Sequence, residues 1–206
     1  ACKDRGIPVG VYYYSCANST QFGEMEATFL YDNCLRGKQF QYPVYIDVED
    51  VHWQKNNKTG VTQACIGFCE QLENLGYYVG IYGSDYATFK DMLFIDDLKS
   101  YDKWVARWGN QKPMYVTEYG MWQNSNCGKV DNYVGSVDTD ESFKNYPYII
   151  CQNGFNGYKQ GDWGDEDPSN VSNDNSSTNS GTNTSNNSYI EYTVRAGDTL
   201  SGIAQK

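Results

Sequence analysis

The feature that most constrains this chain is an alternation. Short apolar and aromatic runs are each followed by a longer stretch with helical periodicity. Residues 7–15 (IPVGVYYYS) form a continuous apolar run, the pattern of a strand covered on both faces. Residues 23–35 follow as an amphipathic stretch in which Ala27, Leu30, Tyr31, Cys34 and Leu35 share a face. Residues 43–50 (PVYIDVED) read as the next strand. A helix then runs through Leu75 and stops at Gly76, the residue type that best tolerates the left-handed conformation of a helix C-terminus, before the strand 77–84 (YYVGIYGS). Residues 86–93 read as a third helical stretch. Segments 103–108 (KWVARW), 114–123 (MYVTEYGMWQ) and 135–139 complete the series. Strands alternating with helices imply parallel pairing with right-handed crossovers. Roughly six strands suit a doubly wound α/β sheet or a (β/α) barrel lacking its opening units.

Composition divides the chain. The apolar fraction is 39%, yet aromatics reach 16%, so a well-made core is being diluted locally. The diluting segment is 161–189, dominated by Asn, Ser and Thr with Val171 as its only aliphatic residue. Such a stretch cannot bury enough apolar surface to offset its ordering entropy, and a disordered linker is expected there. The globular unit is therefore expected over 1–160, with a short remnant at 190–206. The formal charge of -10 repels phosphate and argues against nucleic acid as a partner. No run approaches the roughly 18 apolar residues of a spanning helix, so no membrane insertion is expected. The chain opens on Ala1, with a buried-strand pattern already under way at Ile7, which suggests a fragment.

Seven cysteines are too scattered for a disulfide scaffold. Cys65 and Cys69 are the one close pair, and with Phe68, Leu72 and Leu75 they make an apolar stripe of helical period. Packing as small hydrophobes is the reading this favours over a metal pair. His52 is the single histidine and no CxxC accompanies it, so zinc chemistry and a Ser-His-Asp triad both lack their usual ligand or base. No cofactor and no metal are expected.

The chemistry concentrates in Asp47-Val48-Glu49-Asp50. On a strand, alternate residues project to one face about 6.5–7 Å apart, so Asp47 and Glu49 emerge together and Val48 goes the other way. The apolar run 44–48 places this cluster at the strand's C-terminal end, where barrel active sites are built. Two carboxyls in a confined site push one pKa upward, so that one can serve as general acid while its neighbour stays ionised. That is the machinery of glycoside hydrolysis. A solvated acidic turn, or a divalent-cation site, fits the same four residues. Tyr12, Tyr14, Tyr82, Trp104, Trp108, Trp122 and Tyr133 fall in or near strand ends. Each could be core filling. Together they also suit the apolar faces of sugar rings, with Gln123, Asn132 and Arg107 as polar partners.

These segments, in this order and spacing, resemble the glycoside hydrolase family 25 lysozymes, the Chalaropsis-type N-acetylmuramidases. The resemblance rests on GIPVGVYYYS, PVYIDVED, GYYVGIYGS, KWVARWG, MWQ and VDTDESFKNYPYII and covers about residues 1–152. It implies a TIM-like (β/α) barrel whose last strands depart from the standard layout. It also implies hydrolysis of the β-1,4 bond between N-acetylmuramic acid and N-acetylglucosamine in bacterial peptidoglycan. By motif, Glu49 would be the general acid, Asp47 its carboxylate partner, and Asp138 the acid near the last strand. Substrate binding would fall to Tyr12, Tyr14, Tyr82, Trp104, Trp108, Trp122 and Gln123.

The family's opening strand with its D-x-S motif has no counterpart here. About two barrel strands are missing by this reading, and the 206-residue piece is expected to be weakly stable and inactive by itself. An N-acetylated sugar beside an adjacent D-x-E favours attack by the substrate's own acetamido oxygen. A family 18 chitinase would need D-G-x-D-x-D-x-E, but Tyr42, Pro43 and Tyr45 occupy the positions of its further Asp and Gly residues. A non-catalytic wall-binding protein is the alternative from another class. The tail YTVRAGDTLSGIA (192–204) resembles the opening of a LysM module, which binds N-acetylglucosamine-containing glycans and would hold the enzyme at its insoluble substrate. A monomer at the cell wall, from a secreted bacterial enzyme or a phage lysin, completes the expectation.

Overall fold

A computed structural model describes residues 6–131 and 133–162. Cys2, Asn132, the expected linker from residue 163 onward and the LysM-like segment lie outside the described residues. Six strands form one curled sheet in sequence order: β1 (Val11–Tyr14), β2 (Val44–Asp47), β3 (Val79–Ser84), β4 (Asp102–Ala106), β5 (Met121–Gly128) and β6 (Val137–Ser142). Strands β1 to β5 pair in parallel. The parallel pairing that the alternation implied ends at β6, which returns antiparallel to β5; the resemblance allowed for last strands outside the standard layout. Only eight residues separate these two strands, too few for the crossover that a parallel strand needs.

Helices α1 (Thr20–Leu30) and α2 (Lys58–Asn74) cover the convex face. Ser19 and Asn57 cap them, their side chains accepting from Phe22 N and Gly60 N. The expected helix 23–35 is α1 followed by a π-helical turn, Tyr31–Leu35, which buries Leu35 and leaves Cys34 exposed. α2 ends as its sequence suggested: Gly76 has φ +84°, Gly76 N bonds Glu73 O at 2.9 Å and Tyr77 N bonds Leu72 O at 3.0 Å. Those two bonds satisfy the last carbonyls and reverse the chain directly into β3. The two helices touch backbone to backbone. A Cβ on Gly23 would fall 2.1 Å from Ala64 O, and one on Gly67 2.5 Å from Thr20 O.

The third helical stretch is corrected by the structure. Residues 85–92 are successive turns, because Phe89 and Asp91 reach back five residues while Thr88 and Met92 reach back four. A short 3₁₀ segment, Ile95–Leu98, follows, and β4 connects to β5 by a loop without a helix.

The core under the helices is contributed by the outward residues of β1 to β4. Val44, Ile46, Val48, Ile81 and Val105 pack on Cys65, Phe68, Cys69 and Leu72. Full burial of each large aliphatic or aromatic side chain contributes about 1.5–3 kcal/mol. On the concave face the alternate residues meet α3 (Tyr146–Asn153). Tyr45, Tyr82 and Met121 cluster with Tyr146 and Ile150, and Tyr45 Oη donates to Tyr146 Oη at 3.2 Å. Buried Asn156 ties this floor to the strand N-termini, accepting from Tyr78 N at 2.8 Å and donating to Tyr42 O at 2.9 Å. The opposite, C-terminal end of the concave face is left for the site.

Candidate active site

Register builds the site. Tyr14, Asp47, Tyr82, Trp104 and Met121 are successive Cα partners across β1 to β5. All five therefore stand in one row on the concave face. Asp47 ends β2, and Val48 N extends the ladder by one bond to Tyr82 O at 3.0 Å. Val48 is buried on the helix side, so Glu49 comes back toward the concave side, as the alternation required. Asp50 does something else. Its Oδ1 accepts from His52 N and Trp53 N at 2.8 and 2.7 Å and fixes the turn after the strand.

The two acids differ in environment. Asp47 is 5% exposed, and its Oδ1 is buried without a hydrogen-bond partner among the described residues. Burial first, and the Glu49 charge second, push its carboxyl from 3.8 up to about 7. Glu49 opens to solvent, yet its carboxyl is also raised, by partial desolvation and then by the charge of Asp138. Asp138, on β6, thus faces Glu49 from across the sheet. This triangle comprises the three acids the sequence singled out.

Around it the aromatics take distinct positions. Trp104 packs against Tyr82, ring centroids 4.5 Å apart, and against Tyr45 and Tyr12 at 5.4 and 6.4 Å. Its Nε1 donates to Asp140 Oδ1 at 2.7 Å. Tyr12, Tyr14, Trp108 and Tyr133 are 62%, 51%, 58% and 48% exposed and offer open ring faces. Tyr12, Tyr45 and Trp104 also line a cavity of about 260 Å³ on the same face.

Trp122 and Gln123 depart from the sequence expectation. Trp122 alternates with Gln123 on β5 and is 6% exposed, with Nε1 donating to Arg107 O at 2.8 Å; it belongs to packing behind the sheet and has no open face for a ligand. Gln123 is buried on the site side, and its Oε1 accepts from Tyr82 Oη and Trp108 Nε1, both at 3.0 Å. Its polar atoms are committed within the protein. Arg107 likewise turns away, to Asp85 Oδ2 at 2.9 Å and Gln111 Oε1 at 3.0 Å.

Two residues were missed. Asp140 lies two residues beyond Asp138 on β6, and strand alternation alone could have placed both on one face. Asp85, directly after β3, is 1% exposed and accepts from Met114 N, Tyr115 N and Val116 N at 2.8, 3.1 and 3.0 Å as well as from Arg107. Burial opposes its charge, but these donors outweigh that and hold the carboxyl below its ordinary value. It anchors the loop that carries Trp108. Among the described residues, no group of three or more His, Cys, Asp or Glu side chains is arranged to hold a metal ion.

Comparison with known proteins places this geometry. Residues 1–133 match the profile of the glycosyl hydrolases family 25. An autolytic lysozyme of Clostridium acetobutylicum is 30% identical over 139 residues, 68% of this chain and 40% of that protein. The CTP1L endolysin superposes with a TM-score of 0.59 at 23% identity, over 71% of this chain and 51% of the other. The catalytic domain of endolysin ply40, from bacteriophage P40 of Listeria monocytogenes, gives a TM-score of 0.56 at 25% identity, over 72% and 73%. The chain therefore spans about two fifths of the length of the curated relative it matches.

Proposed function

This chain belongs to the glycosyl hydrolases family 25, and from that premise we propose that its parent protein is a lysozyme. The reaction is hydrolysis of the β-1,4 bond between N-acetylmuramic acid and N-acetylglucosamine in bacterial peptidoglycan. The observation that carries this reading is the acid triangle: Asp47 and Glu49 leave one strand end together, and Asp138 faces Glu49 from β6. An aromatic wall stands beside it.

Glu49 is the member of the pair open to solvent, so it is the one able to touch a glycosidic oxygen. Its raised proton affinity suits a general acid. Asp47, buried below it, takes the substrate's acetamido N–H and aligns the acetamido oxygen with the anomeric carbon. As the C–O bond to the leaving sugar breaks, Glu49 delivers its proton to that oxygen and the acetamido oxygen closes an oxazolinium ring. In the reactive form the proton shared by the coupled Asp47–Glu49 pair sits on Glu49, leaving Asp47 as the carboxylate, and Asp47 and Asp138 offset the developing positive charge. Water then opens the ring, with Glu49, now ionised, accepting the water's proton. Two displacements at one carbon give net retention. Trp104 and Trp108 supply faces for the apolar C–H surfaces of the sugars, with the buried Tyr82 ring packed against Trp104.

Several finer assignments belong to the same proposal. The half-barrel is part of a (β/α) barrel, residues 161–189 are a linker, and residues 190–206 begin a LysM module that tethers the enzyme to the wall. The relatives include an autolytic lysozyme and two endolysins, one of them from a bacteriophage, which supports action on the cell wall.

The decisive experiment is digestion of purified peptidoglycan by the full-length protein with identification of the new reducing ends. Muramic acid termini, first released in the β configuration, are expected. New N-acetylglucosamine termini, or no cleavage at all by a folded full-length protein, would exclude the assignment.

A further inference from the structure

We infer that Gln123 is a positioning residue whose side-chain amide holds Asp138 and the Trp108 indole in fixed relation to each other. This rests on the proposed hydrolase reading and adds to it a residue that does not touch substrate. The orientation of the amide follows from chemistry. Trp108 Nε1 is a donor and nothing else, so the Gln123 atom 3.0 Å from it is the carbonyl oxygen. The Tyr82 hydroxyl donates to the same oxygen at 3.0 Å, which uses both of its lone pairs. The NH₂ group is then directed at Asp138 Oδ2, 3.5 Å away. A separation this long is common before substrate closes a site and shortens as it does so.

Three elements are joined through this one side chain: β3 by Tyr82, the β4–β5 loop by Trp108, and β6 by Asp138. Gln123 is 3% exposed, whereas Trp108 is 58% exposed, so water is kept from the amide while the indole face stays open. β6 is the one antiparallel strand and its register with β5 shifts between Gln123 and Ser125 and again between Ser125 and Gly128. The ladder alone therefore fixes Asp138 loosely, and the amide supplies a restraint at the place where the ladder is irregular.

The test uses the full-length protein with Gln123→Glu and Gln123→Met. Gln123→Glu keeps an acceptor for Tyr82 and Trp108 but turns oxygen toward Asp138. It is expected to lower kcat at least 10-fold with KM within about 3-fold, and to move the pH–rate profile upward, since an added carboxylate raises the proton affinity of the acidic cluster. Gln123→Met removes both functions. Its Trp108 indole N–H proton resonance, assigned by its loss in Trp108→Phe, is expected to move upfield from the hydrogen-bonded position of the wild type. That resonance is read without turnover. An unmoved resonance in Gln123→Met, or a Gln123→Glu enzyme with wild-type kcat and pH profile, or one altered only in KM, overturns the inference. A wild-type protein without muramidase activity overturns the proposed function instead, leaving the resonance to decide the geometry.

Discussion

Asp47 and Tyr82 are register partners across the β2–β3 ladder, so the most strongly perturbed acid of the site stands beside a ring whose hydroxyl is already spent on Gln123. The ring therefore shields Asp47 from water without offering it a hydrogen bond. This explains how one strand end carries two carboxyls of different character. Asp47 is walled in by the sheet, while Glu49, past the last ladder bond, reaches the open mouth.

Glu49→Gln in the full-length protein tests the division of labour. A positioned general acid contributes typically 10²–10⁴-fold to rate, so kcat on peptidoglycan is expected to fall by about that factor while KM stays within a few fold. In the wild type, activity should decline as pH rises through the titration of the coupled Asp47–Glu49 pair, an apparent value belonging to both groups. Retention of more than a tenth of the rate by the variant would remove Glu49 from that role.

Trp108→Ala removes an exposed wall of the groove. Because the ring is largely in solvent, the expected change in stability is small. Loss of about 0.5–1.5 kcal/mol of stacking should raise KM roughly 2- to 10-fold with kcat nearly kept. Steady-state kinetics on a soluble glycan fragment measures both, and an unchanged KM would show that the sugar passes elsewhere.

Gly23→Ala addresses the scaffold. The new methyl would meet a backbone carbonyl at 2.1 Å, and a backbone cannot rotate aside, so α1 must lift from α2. Overpacking of this kind costs about 1–3 kcal/mol. The urea midpoint of the variant should drop with an unchanged slope; an unaltered midpoint would mean that the two helices slide apart freely.

Much of this was legible in the sequence, and where it was not the reason is physical. The runs at Val44–Asp47 and Val79–Ser84 announced themselves because parallel strands buried on both faces must be continuously apolar. Gly76 marked its helix end because few other residues accept φ +84°. The D-x-E placement followed from strand alternation alone. Residues 86–93 misled because one apolar stripe fits several turn geometries, and the five-residue bonds that break the helix are set by contacts with distant chain. The antiparallel return of β6 was concealed in the same way, since a single strand carries no mark of direction. Trp122 and Gln123 were grouped as ligands because they are neighbours in sequence, yet neighbours on a strand face opposite sides.

Two buried carboxylates give the stability of this fold opposite dependences on pH. Asp47 has its folded pKa raised to about 7 from 3.8. Between those values the native state holds a proton that the unfolded chain has released, so stability falls as pH rises from about 4 to 7. Asp85 has its folded pKa lowered. There the unfolded chain binds more protons, and stability falls as pH drops below about 4. Asp47→Asn cannot ionise, so it should be the more stable protein at pH 7.5, by on the order of 2 kcal/mol once screening at the open mouth is allowed for, and nearly equal to wild type at pH 4. Asp85→Asn should lose about 3–5 kcal/mol at neutral pH, because Arg107 and the 114–116 amides lose their charged acceptor, and the gap should narrow toward pH 3. Urea unfolding of the wild type and both variants at pH 3.5, 5 and 7.5 measures all three slopes. Parallel curves for wild type and Asp47→Asn between pH 5 and 7.5 would mean that Asp47 is ionised in the native site at neutral pH, and that the proton held near the mouth belongs to Glu49 alone.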